Sequence, residues 1–83
     1  MGIPVLEASS KDLGEGVLGL YEGFPSPRIR VLRGLDDESL RLVIIHEVLH
    51  AIDDMYDLRL GERRIRILEQ ALGALVDDPL DQT

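Results

Sequence analysis

The chain of 83 residues contains no cysteine. Disulfides cannot staple it, thiol nucleophiles and thiol redox chemistry are excluded, and any bound metal has to be held by histidine and carboxylate ligands. Basic residues are scarce as well. Nine Lys and Arg stand against sixteen Asp and Glu, a net charge of −7 that repels phosphate backbones and anionic lipid surfaces. Neither nucleic acid nor a membrane is the expected partner. No apolar run is long enough to span a bilayer, and Met1-Gly2-Ile3-Pro4 lacks the positive start and apolar run of a signal peptide. A cytoplasmic protein is expected, folded as one domain over 1–83. A chain this short buries only roughly 60–65% of the surface it exposes when unfolded, so its core is thin and a bound metal would help to stabilise it.

Ile3-Pro4-Val5-Leu6 and Gly16-Val17-Leu18-Gly19-Leu20-Tyr21 are short apolar runs bounded by Gly, Ser and acidic residues, and they read as strands. Phe24-Pro25-Ser26-Pro27 is a turn. Arg28-Ile29-Arg30-Val31-Leu32-Arg33 then alternates polar and apolar residues as a half-buried strand does, with its arginines toward solvent, where they discourage edge-to-edge pairing. Gly34 breaks that strand and Asp36 caps a helix, with Asp37 and Glu38 in the first turn and Leu35 and Leu40 placed to form a hydrophobic staple. From Leu40 to Ile52 this helix is apolar on most sides and ends near Tyr56 or Asp57. A second helix runs from Gly61-Glu62 to Val76, with Ile65, Leu68, Leu72 and Val76 as its buried stripe, before Asp77-Asp78-Pro79 stops it. The expected fold class is α+β: a small antiparallel sheet packed on a two-helix hairpin.

One polar lane scores the first helix. His46, His50, Asp53 and Asp57 fall along it at about 100° per residue, with Glu47 and Asp54 at its edge. His46-Glu47-Val48-Leu49-His50 is HExxH, which on a helix sets two imidazoles one turn apart on the same face, spaced to share one zinc ion. Random placement of two His and seven Glu would produce this arrangement in only about 0.2% of cases, so an unrelated pair of helix histidines is the weaker reading.

A hydrolytic zinc site takes three protein ligands, and with no further His and no Cys the third has to be a carboxylate or, less favourably, a tyrosine. Two glutamates qualify. Glu69 sits inside the apolar stripe of the second helix, where a carboxylate needs a strong partner, and antiparallel helices would bring it opposite His46 and His50. Glu62 lies two turns earlier on nearly the same face, about 10 Å away along the axis, so both cannot bind one ion. Glu62 becomes the ligand if the first helix ends early and the chain doubles back. At a helix start it is favoured by the dipole even without a metal, and Asp53, Asp54 and Asp57 have an ordinary reading as a solvated helix end.

The HExxH with a downstream helical Glu resembles the zincins, specifically the gluzincin branch of zinc metallopeptidases. The stretch from Leu40 to Pro79 also resembles very small phage-encoded metallopeptidase-like proteins with a His-Glu-x-x-His-Ala-x-Asp motif. The metzincin pattern is not met, since it needs Gly where Asp53 stands and His or Asp where Tyr56 stands; peptide deformylases need a Cys ligand. The resemblance implies His46 and His50 as zinc ligands, Glu47 as general base and Glu69 as third ligand. Many gluzincins carry an acidic residue four after the ligand Glu; here that position is Gly73, which leaves Asp53 or Asp54 to accept a ring N–H from a ligand histidine.

The implied activity is peptide-bond hydrolysis, with Arg28–Arg33 as the nearest strand to take up an extended peptide and Tyr21 or Tyr56 as a donor to the developing oxyanion. A zincin-like module that binds zinc without cutting, as a regulator or phage assembly protein, is the rival reading. A third is a phage structural or assembly subunit whose cleft is completed only on homo-oligomerisation; in each case the expected location is the cytoplasm of the producing or host cell.

Overall fold

In the computed structural model, which describes residues 2–75, six elements follow in the order β1 (Val5–Ala8), α1 (Ser10–Leu13), β2 (Gly19–Glu22), β3 (Arg28–Leu32), α2 (Asp37–Tyr56) and α3 (Gly61–Leu75). The fold is α+β with a three-stranded mixed sheet, order β1-β3-β2. The short turn at 23–27 returns β2 onto β3 as an antiparallel pair, Tyr21 opposite Ile29 and Glu22 opposite Arg28. That leaves only the far side of β3 for β1, which pairs there in parallel, Val5 beside Ile29 and Ala8 beside Leu32.

Two expectations are corrected by this topology. The sheet is mixed, not antiparallel, because α1 and β2 lie between β1 and β3 and bring the chain back in the same direction. The Arg28–Arg33 strand is the centre of the sheet, not an edge, so it cannot take up a further strand; the edges are β1 and β2. Its alternation nevertheless reads correctly: Ile29 and Val31 are almost fully buried and Arg28 and Arg33 are exposed. Arg28 and Arg30 both reach Glu22 across the strand pair, at 2.6 and 3.0 Å. The one-turn α1, capped by the Ser9 hydroxyl accepting from Asp12 N, has no counterpart in the apolar pattern and lies against β3, where it buries Leu13.

α2 begins where its cap requires. The Asp36 carboxylate accepts from Ser39 N, and hydrogen bonds from Ser39 hold that carboxyl below its usual range. It ends at Asp57, which adopts a left-handed conformation at φ 49° and donates its backbone N–H to Asp53 O. Paired residues in the sheet share a face, so Gly19, Tyr21, Ile29 and Val31 point the same way. That face meets α2. A Cβ at Gly19 would stand 2.5 Å from Val43 Cγ1 and 3.2 Å from Glu47 Cγ, so only glycine lets strand and helix approach this closely.

α3 packs on the other side of α2, and the contacts run in opposite order along the two helices. Arg41 Nη2 donates to Gly73 O at 3.0 Å, His46 meets Glu69, and His50 meets Glu62. A Cβ at Gly73 would lie 2.9 Å from Leu42 Cδ2, so glycine at this position admits close contact between the two helices. Burial is thinner than the sequence pattern suggests. Val48 and Ile52 of α2 are 38% and 39% exposed, because the sheet and α3 cover only two sides of that helix. In α3, Ile65 is fully buried, whereas Leu68 and Leu72, expected in the buried stripe, are 37% and 36% exposed. Val76 and the stop signal Asp77-Asp78-Pro79 lie outside the described residues. Among the described residues no helix is long and apolar enough to cross a membrane.

Candidate metal centre

Residues 46 and 50 lie one turn apart on the α2 face that meets α3. Their rings converge: His46 Nε2 and His50 Nε2 stand 3.2 Å apart, with ring centroids 4.8 Å apart in an edge-on arrangement. Nitrogen ligands about 2.0–2.1 Å from a tetrahedral zinc are separated by about 3.3 Å, so the observed spacing fits two corners of such a site.

A carboxylate that could supply a third corner stands in the first turn of α3. Glu62 Oε1 lies 2.7 Å from His50 Nε2 and Glu62 Oε2 lies 3.9 Å from His46 Nε2. Ligand atoms of His46, His50 and Glu62 all fall within 4.8 Å of one another, and the donor set of two imidazoles and a carboxylate suits zinc. The two glutamates considered for the third position are therefore separated by geometry. Glu62 faces the Nε2 pair, whereas Glu69 Oε1 stands 3.3 Å from the other ring nitrogen of His46, Nδ1.

Glu47 lies on the sheet side of the same helix turn. Among the described residues it is the one charged residue with a buried side chain, 8% exposed, with Oε2 3.3 Å from where a Gly19 Cβ would sit. Burial pushes its carboxyl above the usual range, against the pull of the His46 and His50 rings and of the Tyr21 backbone N–H, which favour the charged form. A glutamate so placed holds a proton more readily than an exposed one. Glu47 and His50 both open onto a cleft of about 660 Å³ bounded by Tyr21, Asp54, Asp57 and Arg59.

The expected helpers occupy other posts. Asp53 does not face an imidazole: its Oδ1 accepts from Leu60 N at 2.8 Å and its backbone oxygen accepts from Asp57 N and from Leu58 N, so it bolts down the turn between α2 and α3. Asp54 accepts from the Tyr21 hydroxyl at 2.9 Å, tying the end of α2 to the edge strand β2. That phenol, raised in pKa by burial and by the hydrogen bond to Asp54, has committed its only proton. Tyr21 therefore presents lone pairs to the cleft and is not placed as an oxyanion donor. Tyr56 is 72% exposed, and Phe24, 96% exposed, lines the cleft and not the core. Sequence reasoning missed the Tyr21–Asp54 tie, since nothing in residue type or spacing links positions 33 apart.

Comparison with protein families, with curated proteins and with solved structures finds no match for this chain.

Proposed function

We propose that this protein is a minimal zinc-dependent metallopeptidase, a zincin-like domain built on a helical hairpin that carries HExxH. The observation that supports it above all is the convergence of His46 Nε2 and His50 Nε2 to 3.2 Å with the Glu62 carboxylate beside them and the buried Glu47 on the same helix turn. Zinc held by His46, His50 and Glu62 would lower the pKa of a bound water toward neutrality and polarise a scissile carbonyl. Glu47 would take the proton from that water and deliver it to the leaving amine, a task suited to a carboxyl whose burial raises its affinity for the proton. The free edge of β2, beside Glu47, is where an extended peptide or protein substrate adds its backbone, the role first expected of the Arg28–Arg33 strand. Net charge −7 argues against nucleic acid and anionic membranes as partners, and a cytoplasmic site of action accords with the composition.

A second reading has its own observation. The described core is confined to Ala8, Leu13, Ile29, Val31, Leu49, Ala51 and Ile65, so a metal clamped between α2 and α3 would supply stability that apolar burial does not. On that reading the protein is a zinc-binding module without peptidase activity, acting as a regulator or as a phage assembly component.

Glu47→Gln separates the two readings. Zinc stoichiometry by elemental analysis and cleavage of a peptide library by mass spectrometry are measured on wild type and variant. The peptidase reading expects about one zinc per chain in both proteins and a loss of about 10²–10⁴-fold in cleavage in the variant. Zinc binding without any cleavage by wild type favours the module, and a wild type that takes up no zinc overturns both.

A further inference from the structure

His46 has a carboxylate at each ring nitrogen. Glu62 and His50 stand at Nε2, and Glu69 Oε1 stands at Nδ1 at 3.3 Å. His50 has Glu62 at Nε2 and no comparable carboxylate at Nδ1 among the described residues. We infer that Glu69 is a positioning residue that fixes His46 as its Nδ1–H tautomer and so aims the Nε2 lone pair at the site shared with His50 and Glu62. This rests on the zinc-site reading above and deepens it.

The chemistry of the ring carries the argument. Neutral imidazole has one N–H and one lone pair, and a carboxylate accepts only, so an ionised Glu69 at Nδ1 selects the tautomer in which Nδ1 bears the proton. The lone pairs of Nδ1 and Nε2 diverge in the ring plane, so a carboxylate seated on one nitrogen does not join a ligand set formed at the other. Placement along α3 agrees. Glu62 and Glu69 are seven residues apart, two turns on one face, about 10 Å along the axis, and His46 lies between them. Glu69 is also the more sheltered of the two, its side chain 23% exposed against 54% for Glu62. Glu62 has Arg66 as a further partner at 3.7 Å, whereas among the described residues Glu69 pairs with His46 alone. A half-buried carboxylate between Ile65 and Leu72 needs a polar partner, and among the described residues the His46 ring, its Nδ1 3.3 Å away, is the group paired with it. Such outer carboxylates orient ligand histidines and raise their basicity, and removing one weakens metal binding by about 10–100-fold.

The test uses the full chain in two states. In the metal-free protein, ¹⁵N–¹H correlation spectra of the imidazoles report the tautomer of His46 in wild type, Glu69→Ala and Glu69→Gln. In the second state, zinc affinity is measured by competition with a chromophoric chelator for the same proteins and for Glu62→Ala, with circular dichroism confirming that each is folded. The expected result is an Nδ1–H tautomer in wild type that is lost in Glu69→Ala and retained in Glu69→Gln, whose amide oxygen still accepts. Alongside it, Glu69→Ala binds one zinc per chain about 10–100-fold more weakly, Glu69→Gln recovers part of that loss, and Glu62→Ala fails to hold stoichiometric zinc. If Glu69→Ala abolishes stoichiometric binding while Glu62→Ala keeps it, Glu69 is a ligand and the inference is overturned. An unchanged tautomer and affinity in Glu69→Ala overturn it equally. A wild type that binds no zinc removes the metallopeptidase reading, and the tautomer in the metal-free protein still decides the role of Glu69.

Discussion

The two flanks of α2 are built on opposite principles. Toward the sheet, contact is apolar and tight: Val43 sits in the space left by the missing Cβ of Gly19, and Ile29 and Val31 are almost fully buried on the same face. Toward α3, the contact holds one fully buried side chain, Ile65, and a lane of imidazoles and carboxylates. One flank is held mainly by apolar packing around the buried Glu47, the other by a lane of imidazoles and carboxylates beside Ile65. The lesson is that this protein places Ile29 and Val31 where α2 meets the sheet and holds α3, which carries both glutamates, through Ile65, the Arg41–Gly73 hydrogen bond and the histidine–glutamate contacts.

The sharpest way to break the comparison is on the packed flank. Gly19→Ala forces a Cβ to within 2.5 Å of a β-branched side chain that has little rotamer freedom in a helix, and is expected to cost about 2 kcal/mol or more in chemical denaturation. Wild-type stability in that variant would show that strand and helix are not in close contact. A smaller and more selective effect is expected on the polar flank. Chelation of zinc removes roughly 1.4 kcal/mol if the free metal had stood at ten times its Kd, and hydrogen exchange should place the loss on α3 amides while β3 stays protected. Uniform acceleration across β3 and α3 would mean the flanks are not independent.

The smallest expected effect concerns Glu47, the carboxylate on the packed flank. Its pKa is raised in the folded chain by burial, so the folded state holds that proton more tightly than the unfolded one. The contribution of Glu47 to stability is complete below the ordinary glutamate pKa and is lost as pH rises through the elevated one. Metal-free Glu47→Gln should therefore melt above wild type at neutral pH, with the gain shrinking in acid below the ordinary carboxylate range. A variant that melts below wild type at pH 7 would show that the carboxylate is compensated by its neighbours.

Local signals were legible and long-range ones were not. Asp36 as cap, the end of α2 at Tyr56–Asp57 and the alternation of β3 depend on neighbouring residues, and each appears in the structure where the sequence indicated. The HExxH pair was legible because the repeat of one helix fixes its geometry. Strand order was not, since nothing in Val5–Ala8 says which side of β3 it will join or in which direction. Choosing between Glu62 and Glu69 needed the path of the chain between two helices, and that path turns on left-handed backbone at Asp57 and Arg59, of which only the aspartate gives any hint by type. Asp53 and Asp54 were recognised as part of the polar lane, but their partners, Leu60 N and the Tyr21 hydroxyl, belong to other elements.

The connection at 57–60 has a consequence beyond joining two helices. Asp53 fastens it at three backbone N–H groups, those of Asp57, Leu58 and Leu60, so its length and exit direction are set before α3 begins. It acts as a gauge. Each residue added to or removed from it would swing the whole of α3 by about 100° about its axis, carrying Glu62 and Glu69 away from both imidazoles together. Substitutions along the exposed faces of α2 and α3 leave that phase untouched, so the histidine–glutamate cluster can accept wide variation in composition and almost none in the count of residues between Asp53 and Glu62.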